Sequence, residues 1–250
     1  MTGTVYLVGA GPGAPDLLTL RAARLIERAD IVFHDALVHP DTLALARHAR
    51  IVSVGKRSGR VSTDQRFIDR ALVEAARTYD VVVRLKGGDP SVFSRAAEEI
   101  DALTAAGIAF EIVPGVTAAL AAAAALKQPL TRRGVARNVS FATLRTGRGE
   151  APLVLDAGRR PDTLMLYMAS DDAAATRDAL LALGYVASTP VVVAEDVSLP
   201  GMRARHTSVG ALADVALRSG DAPVLLGIGD VFGSQAQTLD ERALRPARRA

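Results

Sequence analysis

At 250 residues with 49% hydrophobic side chains, the chain can bury one large core or two modest ones. It has no cysteine, which excludes disulfides and thiolate metal sites, and its four histidines (His34, His39, His48 and His206) lack metal-ligand spacing. The net charge is only +3, aromatics make up 4%, and no apolar stretch is long enough for a bilayer, so neither nucleic-acid nor membrane partners are indicated.

The first residues enter a strand-like run without a charged-then-apolar leader, and the expected compartment is the cytoplasm. Val5-Tyr6-Leu7-Val8 reads as a strand buried on both faces. A helix follows, with Leu18, Ala22, Leu25, Ile26 and Ala29 on one face. Ile31-Val32-Phe33 and Ile51-Val52-Ser53-Val54 are the next strands, and Ile68, Ala71, Leu72 and Ala75 mark a second amphipathic helix. Val81 to Leu85 is a strand, a helix runs through Glu98 to Ala106, and Phe110 to Val113 closes the series. Alternating β-α units of this kind predict a mainly parallel sheet with helices on both faces.

An Ala-rich helix from Thr117 to Leu126 begins a second set. Val139 to Thr143, Leu164 to Met168, Val191 to Ala194 and Val224 to Ile228 read as strands. A helix from Ala173 to Leu183 is bracketed by Asp171 and Asp172 before it and Gly184 after it, the expected capping asymmetry. Arg145 to Pro161, rich in Gly, Arg and Pro, reads as a loop. The expected fold class is therefore α/β in two domains, 1–115 and 116–233, with a basic tail over 234–250 that is expected to fray.

Three strand-to-helix turns carry the motifs. In the first, Gly9-x-Gly11-x-x-Ala14 nearly fits a dinucleotide fingerprint, with Asp30 and Asp35 near the place of a ribose-binding acid. Pro12 and Pro15 each remove a backbone N–H from the turn that would cradle a pyrophosphate, so the nicotinamide-dehydrogenase reading has a physical obstacle. The plain alternative is a tight turn in which glycines only supply unusual backbone angles. In the second turn, Arg84-Leu85-Lys86-Gly87-Gly88-Asp89-Pro90, two glycines let a ligand approach the backbone and Asp89 can accept from a hydroxyl or an amine. Alternatively, Asp89-Pro90 simply begins the next helix. The third, Val113-Pro114-Gly115-Val116-Thr117-Ala118, offers Thr117 as a helix N-cap, or small side chains as a wall for a flat ligand. Asp35 and Lys56, each just past a strand end, could act as base and acid or form an ordinary surface ion pair.

Taken in order with Asp16 to Leu20, His34 to Val38, Val54 to Arg57 and Pro129 to Arg133, these segments closely resemble the tetrapyrrole methylase family. The resemblance runs from about residue 4 to residue 233 and is much stronger before residue 145. Ser91-Val92-Phe93-Ser94-Arg95, Arg132, and Glu195-Asp196-Val197 depart from the usual family pattern. The resemblance implies two α/β domains with the active-site cleft between them, usually in a homodimer. It implies C-methylation of uroporphyrinogen III at C2 and C7, giving precorrin-2 through precorrin-1, on the way to siroheme and cobalamin. A later precorrin or cobalt-precorrin substrate is the alternative.

The cofactor so implied is S-adenosyl-L-methionine, leaving as S-adenosyl-L-homocysteine. The family pattern places Pro12, Gly87, Gly88, Asp89, Val92, Thr117, Ala118 and Met168 around it, with Asp35 as proton acceptor and Lys56 as proton donor. The substrate is a polycarboxylate, for which Arg57, Arg60, Arg132 and Arg133 are candidate partners, chosen for their closeness to the motifs.

Overall fold

The computed structural model describes residues 2–55, 65–144, 160–169, 172–215, 217 and 222–233. Two compact units divide after Ala118. The first holds strands β1 (Thr4–Gly9), β2 (Ile31–His34), β3 (Arg50–Ser53), β4 (Val81–Lys86) and β5 (Ala109–Val113). They form one sheet in the order β3-β2-β4-β1-β5, and every pairing is parallel. Helices α1 (Leu20–Arg28), α2 (Pro40–Leu43), α3 (Gln65–Thr78) and α4 (Ala96–Ala105) make the crossovers. After β1 the chain leaves toward β2, and after β4 it leaves the opposite way toward β5. The carboxyl ends of β1 and β4 therefore form the switch point where such sheets bind ligands.

Strand alternation divides the apolar side chains between two cores. Val5, Leu7, Ile31, Phe33 and Val82 pack with Ile68, Leu72 and Leu103 of α3 and α4. Val8, Val32, Val83 and Leu85 pack with Ala22 and Ile26 of α1 on the other face. Each fully buried aliphatic side chain contributes about 1.5–3 kcal/mol, so helices are needed on both faces.

Two boundaries differ from the sequence reading. Pro15–Leu17 forms a single 3-10 turn, and α1 starts only at Leu20, where Thr19 Oγ1 accepts from the Ala22 N–H at 3.1 Å. Leu18 thus lies outside the helix, although it still packs on the α1 core. The helix after β4 begins at Ala96, six residues past Pro90, so Asp89-Pro90 does not begin it.

The helix α5 (Ala118–Ala125) leads into β6 (Val139–Thr143), β7 (Thr163–Tyr167), α6 (Ala173–Ala182), β8 (Pro190–Glu195), β9 (Arg203–Ser208) and β10 (Val224–Ile228). The second sheet runs β6-β7-β10-β8-β9, with β6 and β7 parallel and the other neighbours antiparallel. Asp172 Oδ1 caps α6 by accepting from the Ala175 N–H at 2.9 Å, and Gly184 follows the helix at φ 86°. Leu164, Leu166, Leu180, Val191, Val193 and Leu226 form its core. The edge strand β9, Arg203-Ala204-Arg205-His206-Thr207-Ser208, is absent from the sequence reading because it has no apolar alternation to announce it. Asp171, most of the Arg145 to Pro161 loop and the 234–250 tail lie outside the described residues.

Candidate active site

Three glycines bring the carboxyl ends of β1, β4 and β5 into backbone contact. A Cβ on Gly9 would lie 2.6 Å from the Gly115 Cα, and a Cβ on Gly115 would lie 2.4 Å from the Gly88 carbonyl oxygen. Gly88 itself has φ 70°, a conformation that disfavours other residues. The turns are then bonded together. The Ala10 N–H donates to the Lys86 carbonyl at 2.8 Å, while Gly11 and Gly88 exchange N–H···O bonds of 3.2 and 2.7 Å.

Asp89 closes the third side. Its Oδ2 accepts from the Gly115 N–H at 2.9 Å, and its Oδ1 accepts from the Ser91 N–H at 2.8 Å and from the Ser91 hydroxyl. Partial burial pushes this carboxyl up, but the hydrogen bonds from Ser91 and Gly115 outweigh it and hold it below the ordinary value. Asp89 thus ties the β4 turn to the β5 turn. Each carboxylate oxygen offers two lone pairs, so Oδ2 keeps capacity for a ligand hydroxyl.

Asp35 follows β2. Its N–H donates to the Leu85 carbonyl at 3.3 Å, and its own carbonyl accepts from the Val38 N–H at 3.2 Å. Gly55 lies against it so closely that a Cβ there would be 2.4 Å from the Ala36 nitrogen and 2.7 Å from the Asp35 Cα. The side chain is half-buried, and its Oδ1 accepts from Arg84 Nη2 at 2.6 Å. The bond to Asp35 comes from a buried arginine one strand away, while the other member of the expected Asp35–Lys56 pair is not among the described residues. Lys56, Arg57 and Arg60 lie outside the described residues.

Of the sequence candidates, Pro12, Asp35, Gly87, Gly88, Asp89, Val92 and Thr117 fall in the segments that follow strands at this one edge of the first sheet, and Ala118 is the first residue of α5. Among the described residues, a Cβ on Gly87 would meet only the Leu37 Cβ, at 3.7 Å. Thr117 is buried, with its Cα 3.9 Å from the Cβ position of Gly88. Met168, Arg132 and Arg133 belong to the second unit. Met168 is 38% exposed with φ 56°, and the two arginines are exposed in the turn closed by Arg132 and Ala136.

The dinucleotide reading is overturned by the same bonds. The Ala10 N–H is already spent on Lys86 at the end of β4 and the Gly11 N–H on Gly88 in the turn after it, Pro12 has none, and the α1 N-terminus comes only after a further 3-10 turn. The first N–H groups of the turn are therefore not available to a pyrophosphate, and no α-helix starts directly after it.

Glycine, aspartate and proline mark the Arg84 to Pro90 segment in the sequence, but the roles of Arg84 and Lys86 emerge from the structure. Both are buried on the α3/α4 side of β4, at 2% and 1% exposure, and both reach Glu99 of α4, which is fully buried. The signal is present in the sequence. Two cations two residues apart in a doubly covered strand require an internal anion, and Glu99 falls on the buried stripe of α4 with Ala96 and Leu103.

A family profile described as Tetrapyrrole (Corrin/Porphyrin) Methylases matches residues 4–213. The chain is 45% identical over 233 residues to the uroporphyrinogen-III C-methyltransferase of Pseudomonas aeruginosa, covering 92% of this chain and 95% of that one. It is 44% identical to the siroheme synthase of Chromobacterium violaceum over 92% of its own length, but spans only about half (49%) of that longer protein. Among solved structures it is similar to the Thermus thermophilus uroporphyrin-III C-methyltransferase complexed with S-adenosyl homocysteine. That match has a TM-score of 0.80 and 38% identity, and it covers 92% of this chain and 98% of that one.

Proposed function

The chain belongs to the tetrapyrrole methylase family, and from that premise we propose that it is a uroporphyrinogen-III C-methyltransferase, methylating C2 and C7 to give precorrin-2 through precorrin-1. It is an S-adenosylmethionine-dependent enzyme. What supports the substrate most is identity of 45% across nearly the full length of both chains. The geometry agrees with a cofactor that carries no phosphate. The Ala10 and Gly11 N–H groups of the β1 turn are spent on Lys86 and Gly88, and a Cβ on Gly87 would meet only Leu37 among the described residues.

When bound, S-adenosylmethionine supplies an electrophilic methyl on a sulfonium. The proposed contacts are Pro12, Gly87, Gly88, Asp89, Val92, Thr117 and Ala118 in the first unit, with Met168 added on the family resemblance alone. These turns are rigid because Gly9, Gly88 and Gly115 interlock, and rigidity serves in-line positioning. A pyrrole β-carbon is electron-rich enough to take the methyl directly, after which the ring must lose a proton. Asp35 is the proposed acceptor, since one carboxylate oxygen is held by Arg84 and the group stays partly exposed at the same edge. Lys56 is the proposed donor, and Arg57, Arg60, Arg132 and Arg133 are proposed for the substrate carboxylates.

No described helix is long and apolar enough to cross a membrane. We place the enzyme in the cytoplasm as a homodimer without nucleic-acid partners, on the family resemblance and the modest charge. Light scattering tests the dimer. The test of function is transfer of labelled methyl from S-adenosylmethionine to uroporphyrinogen III, with product spectroscopy, and its loss in Asp35→Asn. Folded protein that binds S-adenosylhomocysteine but methylates only a later precorrin would refute the substrate. Failure to methylate any tetrapyrrole would refute the activity.

A further inference from the structure

Asp35 has a reason to sit where it does, but a strand carrying two cations into the core needs one of its own. Glu99 is the only anion that reaches both among the described residues. Its Oε1 accepts from Lys86 Nζ at 2.8 Å, from Arg84 Nε at 3.0 Å and, more distantly, from Gln65 Nε2 at 3.5 Å. Arg84 is bound on its remaining edges too. Nη1 donates to the Leu85 carbonyl at 2.8 Å and Nη2 to Asp35 Oδ1 at 2.6 Å. A planar guanidinium held at three edges has one orientation, and that orientation presents an N–H to Asp35. The sheet register sets this up. Phe33 pairs with Arg84, so Asp35 emerges two residues later on the same face.

Stability alone is a poor explanation for this arrangement. Well-packed apolar side chains serve a core as well as a buried ion pair, or better. Two cations and one anion also leave one buried positive charge over, and the Asp35 carboxylate is the group that balances it. Burial, then the neighbouring Arg84 charge, lowers the Lys86 ammonium below its ordinary value, while Glu99 works against both.

The geometry points to Glu99 as a positioning residue for the proton acceptor: with Lys86 beside it, it anchors Arg84 so that the guanidinium holds Asp35 in its working orientation. This rests on the assignment of Asp35 above. Among the described residues Glu99 is bonded to Arg84, Lys86 and Gln65 and not to Asp35 or a residue proposed for the cofactor, so the route from Glu99 to Asp35 runs through Arg84.

The experiment is a double-mutant cycle between Glu99→Gln and Asp35→Asn, with kcat, KM and calorimetric binding of S-adenosylhomocysteine measured for each. Glu99→Gln is expected to lower kcat about 10- to 100-fold, the cost of a misplaced catalytic group. KM for uroporphyrinogen III and affinity for S-adenosylhomocysteine stay within about 2-fold, because uniform binding is untouched. In the Asp35→Asn background the same change has no further effect. Glu99→Gln/Lys86→Met restores the buried charge count, and it is expected to recover thermal stability without recovering kcat. It also carries the test if the single variant does not fold. An unchanged kcat in Glu99→Gln, or a loss that multiplies with that of Asp35→Asn, would overturn the positioning role alone. Full activity in Asp35→Asn would overturn the Asp35 assignment, and the inference with it.

Discussion

Replacing Gly55 by Ala separates the two halves of the proposed site with one methyl group. The added Cβ would stand 2.4 Å from the Ala36 nitrogen and 2.7 Å from the Asp35 Cα. Ordinary contact begins near about 3.5 Å, so the Asp35 turn or the end of β3 must give by about 1 Å. A displacement of that size at a reacting group costs on the order of 100-fold in rate, or about 2.7 kcal/mol of barrier. The overpacking itself costs about 1–3 kcal/mol of stability. For a chain of this size that is a fall in Tm of very roughly 2–4 °C per kcal/mol, readable by differential scanning calorimetry. The proposed cofactor turns are those after β1, β4 and β5, whereas the atoms nearest a Cβ on Gly55 belong to Asp35 and Ala36, so affinity for S-adenosylhomocysteine should be unchanged by titration calorimetry. A folded Gly55→Ala protein with kcat within about 3-fold of the parent would refute the proposed role of Asp35, because a proton acceptor would then tolerate a shift that precise positioning forbids.

The complementary change, Gly115→Ala, puts a Cβ 2.4 Å from the Gly88 oxygen and 2.8 Å from the Gly9 Cα, and is expected to weaken S-adenosylhomocysteine binding at least about 10-fold. Titration calorimetry checks it. Asp172→Ala removes the α6 cap and should cost about 1 kcal/mol in urea unfolding, with methyl transfer unchanged. Asp89 has a folded pKa below 3.8, so the stability from its ionised hydrogen bonds is complete above that value and is lost as pH falls through the lower, folded one. The stability gap between the parent and Asp89→Asn, from denaturant curves, should therefore be constant above about pH 5 and narrow below about pH 4.

What the sequence shows and what it hides have physical causes. Strands covered on both faces announce themselves as apolar runs, which is why Val5 to Val8, Ile31 to Phe33 and Val81 to Val83 are legible. The polar edge strand β9 has no such signature, and the antiparallel neighbours in the second sheet depend on pairings between distant segments that no local pattern encodes. The candidate turns can be found because Gly, Pro and Asp mark them. The partner of Asp35 cannot, since it depends on the register of β2 against β4. Glu99 is hidden among the charged residues of α4, where Glu98 beside it makes an exposed pair with Arg95. Only its place on the buried stripe tells the two apart.

The glycine turn after β1 shows how an incomplete fingerprint can be decided by counting N–H groups. A dinucleotide site and this site share a strand, closely spaced glycines and a following helix, so pattern alone leaves both open. They differ in where the donors go. In a phosphate cradle the turn's N–H groups remain free for the ligand and the helix begins at once. Here Ala10 donates to Lys86, Gly11 donates to Gly88, Pro12 has nothing to donate, and a 3-10 turn separates the loop from α1. The glycines allow one backbone to meet another, Gly9 against Gly115 and Gly115 against Gly88, and the result is a stiff floor made of three turns. A floor of that kind suits a ligand recognised by shape, and methyl transfer depends on holding two reactants in line. The residues whose donors are turned away from a phosphate are the ones proposed to hold the sulfonium cofactor.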